Sequence, residues 1–302
     1  MDGTMRDTLH DNDLVPDQGV GADGPSAVLA RLEEFYDAVP RFSATAEEHG
    51  PFTLFVRTGS GWHYYGRPTL GGDGQFTAAE VDRVRARQRE LGAPESFEWV
   101  HETSPGLRAA VEASGLEVHE HPLLALELDG SSAAAPATGD GPEVRVLTTD
   151  DPLLPSAVAV PHLAFADPGT AVGEAGVEQL AEATRTAIAD GQVARMTGRM
   201  EAGRTVVAAT AGPDGLAIAS GCHQPVGEVS EIVAVATLPS LRRQGLARRI
   251  TAHLVEHARS TGIRTVFLSA SDAAVARIYE SVGFRRIGTA LIAEPAAEAA
   301  VS

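Results

Sequence analysis

The order of hydrophobic and polar residues predicts a strand, a short turn and a helix between residues 231 and 260. Isoleucine, valine and threonine are dense enough over 231–237 to indicate a buried strand. The Leu-Pro-Ser run at 238–240 interrupts it. Apolar residues then recur every four positions from Leu246 to Ala258, as on one face of an amphipathic helix. The turn between the two elements carries arginine and glycine.

The rest of the second half reads as a mixed sheet with helices on both faces. Strands are predicted at 144–147, 205–211, 216–222, 264–269 and 285–292. Helices are predicted at 152–166 and 176–190, and a further helix is capped by Ser271 or Asp272 and ended by Gly283. The predicted fold class is α/β, with an α+β mixed sheet.

The first half repeats part of this order. Helices are predicted at 27–39, 77–91 and 105–113, and strands at 52–57, 61–65, 96–100 and 116–128. Thr77 and Glu80 have the spacing of a capping box, and Gly92 ends that helix. From residue 77 onward the layout matches the layout that follows residue 245. We therefore predict two domains of the same architecture in tandem.

Composition places the boundaries of these domains. Residues 1–25 hold six Asp and no apolar run, so we predict a disordered acidic N-terminus. The small-residue and proline-containing stretch at 130–142 is typical of a linker. The predicted domains are therefore residues 26–129 and 143–293, and residues 294–302 form a tail.

The turn at 242–247 has the chemistry of a phosphate site. The start of a helix presents unpaired backbone N–H groups and a partial positive charge. Gly245 lets the backbone approach a ligand closely because it has no Cβ. Arginines 242, 243, 248 and 249 add positive charge around the same turn. A phosphate or pyrophosphate is the ligand that this arrangement favours.

Two motifs resemble the GNAT superfamily of N-acetyltransferases. Arg242-x-x-Gly245-x-Ala247 is similar to the family's Arg/Gln-x-x-Gly-x-Gly/Ala signature, and residues 272–284 (DAAVARIYESVGF) resemble its next segment. The resemblance implies tandem GNAT-like domains and acetyl-coenzyme A as cosubstrate, with its pyrophosphate in the turn and its pantetheine arm along the preceding strand. The binding residues it implies are Val235, Ala236, Thr237, Arg242, Arg243, Gln244, Gly245, Leu246, Ala247, Arg248 and Asp272.

The same resemblance supplies two candidate catalytic residues. Tyr279 occupies the place of the family's tyrosine before Gly-Phe, which lies near the coenzyme A sulfur and acts as general acid. Glu231, fourteen residues before Gly245, stands where histone-acetylating members carry a glutamate, and we expect it to act as general base. Glu228 is an alternative base. Asp272 has a second interpretation as a helix cap.

The first half departs from the family pattern in the loop before its helix at 77–91, which corresponds to the phosphate turn. Its loop at 71–76 has glycines but no arginine, and Asp73 would repel a pyrophosphate. Ala110 or Val111 stands where the tyrosine is expected. We predict that this half is a degenerate GNAT-like domain that binds no coenzyme A.

Charge and cysteine content narrow the function classes. The net charge is −17, with 10 Arg against 24 acidic residues before Pro142 and 14 against 17 after it. Such a chain is not expected to bind nucleic acid or anionic membranes. The single cysteine, Cys222, and the absence of a signal-peptide pattern or an apolar membrane span fit a cytoplasmic protein. The expected partner is a small-molecule amine, and the protein is expected to be a monomer or a homodimer.

Two other function classes stay open. A noncatalytic coenzyme A-binding or regulatory module would retain the turn but would not need Tyr279. Residues 253–257 (HLVEH) fit the H-x-x-E-H pattern of zinc hydrolases, with His253 and His257 on one helix face. No third ligand is evident beside them, so we predict no metal.

Overall fold

The computed structural model describes residues 24–59, 64–128 and 141–296. Its helices are α1 Pro25–Arg41, α2 Ala78–Glu90, α3 Leu107–Ala113, α4 Leu154–Ala166, α5 Val177–Ala189, α6 Gln192–Glu201, α7 Leu246–Ser260 and α8 Ala273–Glu280. Its strands are β1 Ala44–His49, β2 Phe52–Arg57, β3 Gly66–Pro68, β4 Phe97–Val100, β5 Glu117–Glu127, β6 Val144–Val146, β7 Val206–Ala211, β8 Ala217–Val226, β9 Val229–Thr237, β10 Thr265–Ser269 and β11 Arg285–Glu294. None of the described helices is both long and apolar enough to cross a membrane.

All of these strands join in one sheet of eleven strands, in the order β1-β2-β3-β4-β11-β5-β10-β9-β8-β7-β6. Neighbouring strands are antiparallel except at two places. One is the pair β9 and β10, and the other is β3 and β4, which share the single pair Gly66 and Phe97. The sheet is therefore mixed, as predicted.

The two halves exchange strands in the middle of this sheet. β5, the last strand of the first half, pairs with β10 on one side and with β11 on the other. β11, the last strand of the second half, in turn pairs with β4 of the first half. Each half thus supplies a strand between two strands of the other. The two halves form a continuous sheet and not two separately closed ones.

Apolar side chains pack on both faces of the sheet. In the second half, α7 and α8 cover one face and α4, α5 and α6 cover the other. In the first half, α2 and α3 pack over β2 and β4. α1 crosses to the second half, where Phe35 meets Phe267 of β10 edge to face with ring centroids 4.9 Å apart. This places a first-half helix beside the diverging part of the second half's sheet.

Most of the predicted elements are confirmed, including the capping box of α2, in which the Glu80 N–H donates to Thr77 Oγ1 at 3.3 Å. The predicted strand at 61–65 is wrong in its described part, because Tyr64 and Tyr65 are not in a strand. β2 pairs instead with β1, which sequence analysis missed. α6 was also missed. Gly191, which directly follows the predicted helix at 176–190, is the N-cap of α6.

Candidate active site

The strands β9 and β10 separate in the middle of the sheet. Their parallel pairing ends at Glu231 and Phe267, although β9 continues to Thr237. A strand that leaves its neighbour presents backbone N–H and C=O groups to whatever enters the gap. The second half of β9 therefore has an open edge, at the residues for which a pantetheine contact was predicted.

A β-bulge lies on this open stretch. Ser220 of β8 pairs with Ala236 and Cys222 pairs with Val233, so two residues of β9 stand opposite Gly221. One of them, Ala234, has a φ of 55°, which is unusual for a residue other than glycine. The bulge turns the local backbone out of the ladder. Such strained backbone is often found at functional sites.

Gly221 is required at its position because helix α7 and the bulge approach it from the same side. A Cβ there would lie 2.8 Å from Cγ2 of Ile250 and 3.1 Å from Cγ2 of Val235. The absent side chain therefore lets α7 pack directly on the bulged strand. This packing fixes the start of α7 relative to the gap.

The turn after β9 leaves the start of α7 open. Gly245 is the N-cap with a φ of 73°, and no side chain caps the helix. The first backbone hydrogen bond of the helix is donated by the Arg249 N–H to the Gly245 carbonyl at 3.1 Å. The N–H groups of Leu246, Ala247 and Arg248 consequently have no acceptor within the helix. Three amides at the positive end of a helix dipole can bind an anion.

The arginines of the turn have different surroundings. Arg242 is turned away from the helix start, and its guanidinium donates to the carbonyl groups of Ala164, Asp167 and Ala171. It holds the segment that follows α4 against the turn. Arg243, with a φ of 67°, and Gln244 are exposed. Arg248 is half-buried in the first turn of α7.

Arg249 makes two hydrogen bonds to the start of the second half. Arg249 donates to the carbonyl oxygens of Gly141 and Pro142, at 3.3 and 3.1 Å. It therefore holds the start of the second half against α7. Arg242 and Arg249 have structural contacts, whereas Arg243 and Arg248 have no carboxylate partner in the described part of the chain. The positive charge of the turn that is open to a ligand comes from the latter two.

Helix α2 of the first half corresponds to α7, but its start is capped by side chains. Thr77 accepts a hydrogen bond from the Glu80 N–H, and the Glu80 carboxylate accepts one from the Thr77 N–H at 3.0 Å. This box places both a hydroxyl and a negative charge where a diphosphate would have to bind. The contrast between α2 and α7 supports the prediction that only the second half binds coenzyme A.

Glu231 lies at the point where β9 and β10 separate, in a half-buried position. Burial raises the pKa of its carboxyl group to about 8, and the charge of Glu98 adds to the rise. The nearby Arg67 lowers it only in part. A carboxylate with such a pKa can accept a proton near neutral pH. Glu228 is exposed and lies 3.7 Å from Arg264, in a position unlike that of a buried base.

Glu98 is a site residue that sequence analysis missed. It comes from β4 of the first half, and burial raises the pKa of its carboxyl group to about 7 against the opposing influence of Arg67 and Tyr65. Arg67 is fully buried, donates to Glu33 at 2.6 Å and lies 4.8 Å from the ring centroid of Tyr36. A charged residue in the otherwise apolar strand FEWV was the only signal of this role in the sequence.

Tyr279 and Asp272 are both on the α8 side of the sheet. Tyr279 packs among apolar residues beside Phe284, with ring centroids 6.2 Å apart. Burial raises the pKa of its hydroxyl to about 12, so it carries its proton at neutral pH. Asp272 accepts hydrogen bonds from the Ala274 and Val275 N–H groups at 2.7 and 2.8 Å. The structure therefore gives Asp272 the role of a helix cap.

Val235, Ala236 and Thr237, for which the resemblance implies contacts with the cofactor, lie in the bulge or directly after it. The side chain of Val235 packs against the core under α7, whereas Ala236 is buried on the opposite face. Thr237 Oγ1 is buried and has no hydrogen-bond partner within the described residues. The side chains of Val235 and Ala236 thus pack in the core on opposite faces of the sheet.

A cavity of about 1360 Å³ opens between the two halves. Ala234 of the bulge contributes to its wall, as do Glu98 and Tyr64 of the first half and His162 and Gln192 of the second. None of the predicted binding or catalytic residues lines it. Tyr64 belongs to the aromatic run WHYY at residues 62–65, of which Trp62 and His63 lie outside the described residues.

One histidine of the H-x-x-E-H pattern, His257, is paired with a histidine outside the pattern. His257 Nδ1 lies 2.9 Å from Nε2 of His223, and Nδ1 of His223 lies 2.8 Å from the Ser230 hydroxyl. Burial lowers the pKa of His223 to about 4, so its imidazole is neutral at pH 7. Within residues 24–59, 64–128 and 141–296, no cluster of three potential metal ligands is present.

The region that contains the bulge and the turn also matches a known protein family. The sequence model of the acetyltransferase (GNAT) family matches residues 174–284, which include the bulge, the turn and Tyr279. No curated protein matches the sequence.

Solved structures share the fold over most of the chain. A GCN5-related N-acetyltransferase from Kribbella flavida is 22% identical, with a TM-score of 0.64 over 90% of this chain and 98% of that chain. A GNAT-family protein from Novosphingobium aromaticivorans is 19% identical, with a TM-score of 0.51 over 91% and 100%. A tandem GNAT protein from the clavulanic acid biosynthesis pathway is 16% identical, with a TM-score of 0.53 over 82% and 80%. The family match shows that residues 174–284 form a domain of the GNAT family, and the shared architecture shows that the whole chain has the tandem fold of these solved structures.

Proposed function

We propose that the protein is an acetyl-coenzyme A-dependent N-acetyltransferase that acts on the primary amine of a small molecule. The observation that carries this proposal is the open start of α7 at the end of the diverging strand. Three backbone amides and a left-handed glycine, with no capping side chain, fit a diphosphate. The GNAT family match over the same residues supports acyl transfer as the reaction class.

In this proposal the two substrates meet at the bulge of β9. The acyl donor lies in the gap between β9 and β10, and the acceptor enters through the cavity between the halves, whose wall includes Ala234. An amine with a pKa of about 10 is mostly protonated at neutral pH and cannot attack until it loses a proton. Glu231, at the start of the gap, receives that proton, directly or through water.

The rest of the reaction requires a proton for the departing sulfur. The amine nitrogen forms a bond to the thioester carbonyl carbon, and the carbon–sulfur bond breaks. The leaving thiolate takes a proton, for which the Tyr279 hydroxyl is the candidate donor because burial keeps it protonated. The attacking nitrogen loses its second proton, which replaces the one that Tyr279 gave up, and the products are an amide and the free thiol of coenzyme A.

The proposal is tested by measuring thiol release from acetyl-coenzyme A with a panel of primary amines. The variant Tyr279→Phe keeps the buried ring and removes only the hydroxyl, so its melting temperature and coenzyme A affinity should be unchanged. We expect its kcat to fall by about 10- to 100-fold. A noncatalytic coenzyme A-binding module would instead bind acetyl-coenzyme A and release no thiol with any amine, in the native protein as in the variant.

A further inference from the structure

The wall of the cavity between the halves is positively charged in a strongly acidic protein. The chain has 24 basic and 41 acidic residues, but the described wall carries four arginines and two glutamates. The arginines are Arg57, Arg195, Arg199 and Arg204. The local charge is therefore opposite to that of the whole chain, and a requirement for solubility does not account for it.

Three of these arginines have no carboxylate partner among the described residues. Arg195 donates to the Asp190 carbonyl at 2.9 Å and Arg204 to the Phe42 carbonyl at 3.1 Å. Arg199 lies 3.3 Å from the sulfur of Met196. A guanidinium has five N–H donors in a planar fork that fits a carboxylate or a phosphate. One backbone or sulfur contact leaves most of these donors available to an anion.

The position of Arg199 connects this charge to the reaction centre. It is close enough to Cys222 for its charge to lower the pKa of that thiol, which burial raises to about 11. Cys222 lines the same cavity and pairs with Val233, the residue before Ala234 of the bulge. Arg199 therefore lies near the proposed position of the acyl group.

Arg204 approaches the cavity where the two halves meet. Its guanidinium lies 4.7 Å from the ring centroid of Phe42, directly after α1 of the first half. Arg195 and Arg199 lie one turn apart on α6, a helix without fully buried residues. The charges therefore come from two elements of the second half and face a wall that the first half completes.

We propose that the acceptor carries an acid group, a carboxylate or a phosphate, in addition to its amine, and that Arg195, Arg199 and Arg204 bind this group. The amine end then lies toward Glu98 and the bulge, which line the same cavity. This inference rests on the proposed acetyl transfer and defines its substrate class.

The test compares four amines with the same five-carbon chain: pentylamine, cadaverine, 5-aminopentanoate and 5-aminopentyl phosphate. Thiol release from acetyl-coenzyme A by the full-length protein gives kcat/KM for each. We expect one or both of the acid-bearing amines to exceed pentylamine by at least about tenfold. The better of the two identifies the acid group as carboxylate or phosphate. Equal values for all four amines, or a preference for cadaverine, would overturn the proposal.

Variants show whether the arginines cause the preference. Arg199→Gln and Arg204→Gln should each raise KM for the preferred acid-bearing amine by about tenfold and leave KM for pentylamine unchanged. Arg285→Gln is the matched control, because Arg285 is exposed, has no carboxylate partner within the described residues and lies outside the cavity. A loss of the same size with pentylamine, or in the control, would count against an anion site.

A binding measurement separates this inference from the proposed reaction. If none of the four amines releases thiol although acetyl-coenzyme A binds, the acetyl transfer is contradicted. Equilibrium dialysis of radiolabelled 5-aminopentyl phosphate against the coenzyme A-saturated protein then tests the arginine site alone. Retention by the native protein and not by Arg199→Gln supports the site, and equal retention or none contradicts it.

Discussion

Glu231 of β9 and Phe267 of β10 form the last residue pair between these two strands. Beyond this pair the sheet opens, so the carboxylate lies at the start of the gap that separates the two strands. Burial and the charge of Glu98 act together to raise the pKa of Glu231. A proton acceptor with a pKa near neutral is thereby placed beside the proposed position of the thioester.

The first prediction concerns the identity of the general base. Replacement of Glu231 by Gln removes the proton acceptor without a change in side-chain size, so kcat should fall by at least about 100-fold while acetyl-coenzyme A affinity is retained. Glu228→Gln is the matched control because Glu228 is an exposed glutamate three residues before Glu231. Steady-state kinetics and calorimetry on both variants check this. A larger loss in Glu228→Gln would assign the base to Glu228.

The second prediction concerns the pH dependence of the reaction. Because the base must be deprotonated and its pKa is raised to about 8, kcat/KM should rise with pH and level off above about 8. Removal of the nearby negative charge in Glu98→Gln lowers the pKa of Glu231, so the rise should move to lower pH by about 0.5 to 1 unit. Glu294→Gln, at an exposed carboxylate of the same cavity, should leave the profile in place. A profile that is unchanged in Glu98→Gln would show that the two carboxylates do not interact.

The third prediction follows from the exchange of β5 and β11. Since each half completes the sheet of the other, neither half should fold alone, whereas cleavage of the chain between residues 128 and 141 should leave the two pieces associated. Size-exclusion chromatography of the cleaved protein, and of each half expressed separately, checks this. A separately expressed half that is soluble, monomeric and melts cooperatively would show that the exchange is not needed for folding.

The local features of this fold were predictable from the sequence. The capping box of Thr77, the glycine at the start of α7 and the apolar stripe of α7 depend on residues a few positions apart, and all three are present. β1 was missed because its sequence ATAEEH has none of the apolar alternation of a strand. As the edge strand of the sheet, it buries no residue fully.

The relations between the halves were not predictable in the same way. The pairing of β5 with β10 and β11 joins segments more than 130 residues apart, and no local pattern specifies the partner of a strand. For the same reason Glu98 was not recognised as a neighbour of Glu231. The arginines of α6 were missed together with the helix, because Gly191 interrupts the apolar pattern of α5 and the helix that follows it has no fully buried residue.

The most direct test of the account is calorimetry of acetyl-coenzyme A binding to the full-length protein and to Ala247→Asp. An acidic residue in the first turn favours the helix but repels a diphosphate at its amides. Ala79→Asp makes the same change at the same position of α2, where Glu80 already occupies the helix start. We expect one site per chain in the native protein and in Ala79→Asp, and no measurable binding in Ala247→Asp. Binding that survives in Ala247→Asp, two sites per native chain, or no heat with the native protein would contradict a single diphosphate site at the start of α7.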